Sequence, residues 1–226
     1  MQVNTPPKPE KVTIRYFPLA GVAERVRLAC ELGKVPYEDE LVSCDQWKEL
    51  KPKTKFGQLP ELEVEGQVYA QSVAMLNYVG KLAGLVPRQP LEALRADEVV
   101  GLCEDVSRTI RPSIMVGRDS SLSARQRTKK QGEMRKTLRE QDLPRMLGYF
   151  ESLLAKEGTG FFVGSSPTIA DLSVLQSVRH LSSGILDGIT TTILNAFPLL
   201  KAHKERMEEL PEVHAYYQAK KQQATR

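Results

Sequence analysis

The sequence predicts an α/β domain followed by an all-helical one, and three observations carry that reading. Strand and helix signals alternate through the first 84 residues, period-two patterning is gone by Leu91, and a proline-bracketed stretch, Pro87-Arg-Gln-Pro90, joins the two parts. The boundaries drawn from this are a flexible segment at 1–10, an α/β domain over 11–86 and a helical domain over 91–226.

Lys11 to Tyr16 puts Val12, Ile14 and Tyr16 on one side of a strand. Phe17-Pro-Leu-Ala-Gly21 then breaks the pattern with a proline and a glycine. From Val22 to Leu32, residues Val22, Val26, Ala29, Cys30 and Leu32 share one helical stripe, and Gly33 stands where a helix-ending glycine belongs. Tyr37 to Val42 reads as a second strand, and so short a strand–helix–strand unit makes a parallel pair with a right-handed crossover. A charged stretch follows around Trp47. Leu62 and Val64 alternate with charged residues, Glu65-Gly66 marks a tight turn and Val68-Tyr69-Ala70 returns, which is a hairpin. Ser72 as N-cap and Gly84 as terminator bracket a helix of about three turns with Val73, Leu76, Val79 and Leu82 inward. Helical periodicity then runs from Leu91 to Ile114 and from Ser123 to Ala155. Shorter helices follow at Thr168 to Leu181, Leu194 to Met207 and Pro211 to Gln218, with an irregular connection over 159–164.

Composition narrows the function classes. A chain of 226 residues with 41% hydrophobic and 27% charged residues is globular, not disordered. At this size about 70% of the unfolded surface can be buried, so neither disulfides nor a metal is needed to hold a core. No apolar run approaches ~18 residues, which excludes a membrane span, and no membrane partner is expected. Met1 to Glu10 has no apolar stretch of the secretory kind. Cys30, Cys44 and Cys103 are odd in number and widely spaced, which fits a reducing, cytoplasmic compartment. A net charge of +4 does not by itself imply nucleic acid.

Several chemistries fail on spacing. His180, His203 and His214 fall on three separate helices without the pairing of a zinc site, so no metal is expected. Gly158-Thr-Gly160 lacks both the leading strand and the following Lys-Ser/Thr of a phosphate loop. The basic run from Arg125 to Arg139 has no interleaved aromatics, and its charges spread around a helix, as on a solvated face. Cys30 and Cys103 lie on apolar faces, where a small buried hydrophobe is the default.

Three features between Tyr16 and Ser72 remain. Tyr16 ends the first strand at the carboxyl edge of a parallel pair, where open α/β layers bind ligands. Its phenol is a neutral donor at pH 7 and, aimed at a thiol sulfur, would favour the thiolate; a strand-end tyrosine packing its ring is the bland alternative. Gln71-Ser72 opens a helix whose free N–H groups favour an anion, although a plain N-cap is equally common. Phe56-Gly-Gln-Leu-Pro60 leads a proline into a strand and, if its peptide bond is cis, exposes a backbone edge for a peptide ligand.

These residues in this order resemble the cytosolic glutathione transferase family, its tyrosine-type classes and the sigma class most. The resemblance rests on Arg15-Tyr16-Phe17-Pro18, Gly21, Ala23-Glu24, Arg27-Leu28, Trp47-Lys-Glu-Leu-Lys51, Phe56-Gly57-Gln58-Leu59-Pro60, Gln71-Ser72 and the capping string Gly164-Ser-Ser-Pro-Thr168-Ile-Ala-Asp171, and it spans roughly residues 11 to 220. It implies a thioredoxin-like first domain and an all-helical second, a homodimer, and glutathione as cosubstrate conjugated to hydrophobic electrophiles in detoxification. By position it implies that Tyr16 meets the glutathione thiolate and that Gln71 and Ser72 hold the γ-glutamyl end. Leu59, before a cis Pro60, would pair with the cysteinyl main chain; Trp47 and Lys51 would face the glycyl carboxylate, with Gln58 at the same edge. Asp105 would reach across a dimer interface to the ligand's ammonium group. The electrophile pocket would draw on Leu19, Ala20, Ser107, Arg108, Arg111 and the last helix. Some classes carry arginines where this chain has Ala20 and Val22. A glutathione-dependent isomerase of the prostaglandin type and a non-catalytic ligand-binding or structural member of the family are the alternatives the resemblance allows.

Overall fold

The computed structural model describes residues 9–224. The segment expected to be flexible, 1–10, falls for residues 1–8 outside the described residues.

Four strands, β1 (Val12–Tyr16), β2 (Tyr37–Leu41), β3 (Glu61–Val64) and β4 (Gln67–Ala70), form one mixed sheet in the order β2-β1-β3-β4. β1 and β2 run parallel, with Tyr16 opposite Leu41, and β3 pairs antiparallel with both β1 and β4. The connection between β1 and β2 is α1 (Glu24–Gly33), entered through a short 3-10 turn at Gly21–Ala23. α3 (Ser72–Ala83) follows the hairpin and packs against α1. Val12, Ile14, Leu62, Met75 and Leu76 close the core between sheet and helices. Period-two alternation put the right residues inside because a one-residue slip would have turned each of them to solvent.

Two local expectations need correction, and one helix lies where no element was assigned. Gly33 is the last residue of α1, and the left-handed position falls on Lys34 (φ 49°). The glycine is required instead for packing, since a Cβ there would overlap Ala83 of α3. Ser72 is not the N-cap of α3 but its first residue; Gln71 precedes it at φ 76°, and no side chain caps the helix. The stretch around Trp47 is helical: α2 (Cys44–Leu50) starts at a capping box in which Ser43 accepts from the Gln46 N–H and Gln46 returns the bond to the Ser43 N–H. α2 has no buried residue, so it carries none of the apolar periodicity by which a helix is read.

The remainder is helical: α4 (Pro90–Gly117), α5 (Ala124–Thr137), α6 (Leu143–Glu157), α7 (Ile169–Leu181), α8 (Pro198–Glu209) and α9 (Pro211–Ala224). The run read as one helix from Ser123 to Ala155 is α5 and α6 joined by a π-helical turn at Leu138–Asp142. The helix expected over Leu194 to Met207 is a 3-10 turn at Ile193–Ala196 and a separate α8 starting at Pro198, whose ring cannot continue a helix begun before it. α7 is the axis of this half. Every residue from Ile169 to Val178 is buried, and α7 packs against α4, α8 and also α1 and α3, so the two halves share one core.

Among the described residues, no helix is long and apolar enough to cross a membrane, and no group of three or more His, Cys, Asp or Glu could hold a metal ion.

Candidate active site around Tyr16

Tyr16 sits where β1 gives way to the 17–21 turn, 8% exposed, its ring edge-on to Phe17 at 5.6 Å. The Val22 backbone N–H, in the first turn beyond the loop, acts on the hydroxyl to favour its ionised form. Burial raises the phenol's pKa above its ordinary 10 and outweighs that N–H and the charges of Arg27, Arg25 and Arg111. The phenol is therefore neutral at pH 7 and holds a proton it can donate.

Gly21 makes this geometry possible. Its φ is +49°, and a Cβ there would stand 2.5 Å from the Tyr16 hydroxyl oxygen and 2.7 Å from Leu19 Cδ1. Gly21→Ala is expected to displace the hydroxyl as well as strain the backbone by about 1–2 kcal/mol. The variant should stay folded in a thermal melt and lose about tenfold or more in turnover, the rate consequence of a misplaced donor. Turnover equal to wild type would show that the hydroxyl's position is not critical.

Behind Tyr16 lies an arginine the sequence reading quoted only as part of a motif. Arg27 is buried, its guanidinium carbon 5.8 Å from the Tyr16 ring centroid. Nη1 donates to the carbonyls of Leu19 and Ala20, both at 3.2 Å, and Nε to Asp39 Oδ1 on β2 at 2.9 Å. Glu24, 3.4 Å from Arg27 Nη1, accepts from the Tyr216 hydroxyl of α9 at 2.9 Å, and Lys220 pairs with Asp39 at 3.1 Å. One guanidinium thus ties the Tyr16 turn to α1, β2 and the last helix. These contacts of α9 run to Glu24 and Asp39, beside Arg27.

The other sequence-predicted residues distribute around this centre. Trp47 of α2 is half-buried, its ring edge-on to Phe17 at 5.5 Å, so Tyr16, Phe17 and Trp47 form one aromatic series. Lys51 is exposed just past α2, as is Gln58 in the following loop. The Leu59–Pro60 bond is cis. Glu61 fastens that loop to the sheet, accepting from the Lys55 N–H at 2.8 Å and from Arg15 at 3.2 Å. Gln71 is exposed, and the Ser72 hydroxyl accepts from Arg25 Nη2 of α1 at 2.9 Å. On α4, Asp105 is exposed and pairs with Arg108 one turn on at 2.6 Å; Arg111 is exposed with its charge acting on Tyr16. Leu19 and Ala20 are exposed and Ser107 is half-buried. Two recesses of about 700 and 530 Å³ lie elsewhere, between the outer edge of β2 and α9, and none of these predicted residues lines them. Arg25, Glu104 and the Val22 N–H were not singled out from the sequence. Two arginines inside a helix read as half-buried were the available signal.

The two halves of the chain match separate models of known domains. Residues 12–81 match the N-terminal domain of glutathione S-transferase and residues 119–220 its C-terminal domain. Glutathione S-transferase 1 of Ascaris suum is 34% identical over 203 residues, 88% of this chain and 92% of that protein. The chain belongs to the glutathione S-transferase family. The crystal structure of the glutathione S-transferase from Ascaris lumbricoides superimposes with a TM-score of 0.76 at 31% identity, covering 92% of this chain and 97% of that one. The structure of prostaglandin synthase D of Nilaparvata lugens, at 24% identity, shares the fold with a TM-score of 0.81 over 92% of this chain and 97% of its own. The fold expected from the resemblance, a thioredoxin-like first domain and a helical second, is that of these transferases.

Proposed function

We propose that this transferase binds glutathione at the carboxyl edge of β1 and adds its thiolate to hydrophobic electrophiles, with Tyr16 donating a hydrogen bond to the sulfur. The observation that carries the reading is the state of the Tyr16 hydroxyl: buried at the end of β1, neutral at pH 7, and so holding a proton to donate. A donor of this kind lowers a thiol's pKa, and a fall of about two units from ~8.5 corresponds to ~2.7 kcal/mol and makes the thiolate the majority form at neutral pH. The cosubstrate supplies the sulfur nucleophile, and the protein supplies ionisation and proximity.

The rest of the tripeptide follows the edge of the sheet. Gln71 and Ser72 at the start of α3 receive the γ-glutamyl end, and main-chain groups of Leu59 before cis Pro60 pair with the cysteinyl residue. Trp47, Lys51 and Gln58 meet the glycyl carboxylate. Asp105 serves the site of a second copy in a homodimer. Exposed Phe56, Tyr69, Tyr78, Leu91 and Leu94 support that assembly, with the Lys55 ammonium between the Phe56 and Tyr69 rings. Leu19, Ala20, Ser107, Arg108 and Arg111 frame the electrophile. Neither a metal nor a second cofactor has a role in this scheme, and free Cys30, Cys44 and Cys103 suit a cytoplasmic, detoxifying enzyme.

Retention on immobilised glutathione, elution with free glutathione and a panel of electrophiles including an aryl halide test the reading together. The expected result is retention, conjugate formation and a sedimenting mass twice the chain's 25.3 kDa. A rearranged product without a thioether bond would make it an isomerase. Binding without turnover would make it a carrier, and failure to bind glutathione would remove the reading altogether.

A further inference from the structure

Arg25 stands two residues before Arg27 on α1 and therefore points elsewhere. Its side chain is 1% exposed, with Nη2 2.9 Å from Ser72 Oγ at the start of α3 and 2.6 Å from Glu104 Oε1 on α4. Its Nε has no partner. Burying a guanidinium between two domains stabilises a fold poorly compared with an apolar side chain of similar volume, so packing alone gives no reason for this cation. Its chemistry does. A serine hydroxyl has one proton, and Ser72 Oγ is committed as the acceptor of Arg25, so that proton is free to be donated outward. Outward is the N-terminal end of α3, where unpaired N–H groups already favour an anion and Gln71 turns the chain at φ 76°.

We propose that Arg25 is a positioning residue for the tripeptide's γ-glutamyl end: it fixes Ser72 as an acceptor, aims the serine proton at the α-carboxylate of that end, and links the subsite to the helical domain through Glu104. The inference rests on the glutathione site proposed above and adds a selectivity to it. Arg25 makes the protein discriminate glutathione from the same peptide without that carboxylate, γ-aminobutyryl-cysteinyl-glycine.

The test measures the dissociation constants of both peptides by calorimetry for the full chain and for Arg25→Met, Ser72→Ala and the double variant. Arg25→Met is expected to weaken glutathione about tenfold or more and to leave the decarboxylated peptide nearly unchanged. Its loss should fall on KM for glutathione and not on kcat, and it should vanish when Ser72 is already alanine. Arg25→Lys, which keeps a donor, should recover part of the affinity. If Arg25→Met does not fold, Arg25→Lys with and without Ser72→Ala reads the same coupling. Equal weakening of both peptides, or an effect of Arg25 that adds in full to that of Ser72, would overturn the proposal and leave the glutathione site standing. A wild-type chain that binds neither peptide would overturn both.

Discussion

Tyr16→Phe is expected to lower turnover of an aryl halide about a hundredfold at neutral pH while glutathione affinity changes by less than about threefold. The substitution is unusually clean. Phenylalanine keeps the ring against Phe17 and beneath Arg27, and only the hydroxyl is lost, so β1, the 17–21 turn and the core around Ile14 have no reason to move. What disappears is the neutral phenolic donor at the strand end. Affinity is expected to survive because the proposed binding of the tripeptide is spread over Gln71, Ser72, the Leu59 main chain and the Trp47–Lys51 corner. Turnover is expected to fall because the proposed donor acts on charge at the sulfur. A variant with turnover within about threefold of wild type would assign the thiolate's stabilisation to another group, and Arg111, the exposed cation acting on Tyr16, would be the first to examine.

Asp171→Ala is expected to destabilise the protein by about 3–5 kcal/mol, the range for removing one member of a buried charged network. Asp171 is fully buried at the start of α7. Oδ2 accepts from the Thr168 N–H and hydroxyl, both at 2.8 Å, and Oδ1 accepts from the Phe162 N–H at 3.0 Å and meets His203 Nε2 at 2.9 Å. One carboxylate thus caps the central helix, fixes the irregular 159–164 connection and satisfies a buried histidine on α8. Alanine leaves four polar groups without their partner where water does not reach. For a chain of this size the loss corresponds to a fall in melting temperature of roughly 10 °C, followed by circular dichroism. Asp171→Asn, which retains the shape, should fall between wild type and alanine. A melting temperature unchanged in the alanine variant would show that the capping box is decoration.

Much of the fold was legible in the residues themselves. Period-two alternation located β1, β3 and β4, Glu65-Gly66 located the hairpin turn, and Gly84 ends α3 in the left-handed conformation at φ 72°. The capping box at Thr168 and Asp171, expected from the family resemblance, is present. What was not legible shares one physical cause. Apolar patterning reports burial, and α2 buries nothing, while α1 buries charged residues whose type argued for solvent. Glu24, Arg25 and Arg27 are interior only because each has found polar partners on other elements: Tyr216 and Asp39 on one side, Ser72 and Glu104 on the other. Those partners lie from 12 to 192 residues away along the chain, beyond any local pattern. Gly33 was read for its conformational freedom when its value was the absence of a Cβ facing Ala83. In the site, the residue types were visible and their wiring was not. Ser72 was taken for a cap, whereas its hydroxyl is an acceptor for a buried arginine.

The most direct test of the account is the ultraviolet thiolate absorbance of glutathione bound to wild type and to Tyr16→Phe, titrated with pH. The account predicts an apparent thiol pKa on the wild-type protein about two units below the free value of ~8.5, and a return to near that value in the variant. Superimposable titration curves would contradict it, since the sulfur's ionisation would then owe nothing to the phenol at the end of β1.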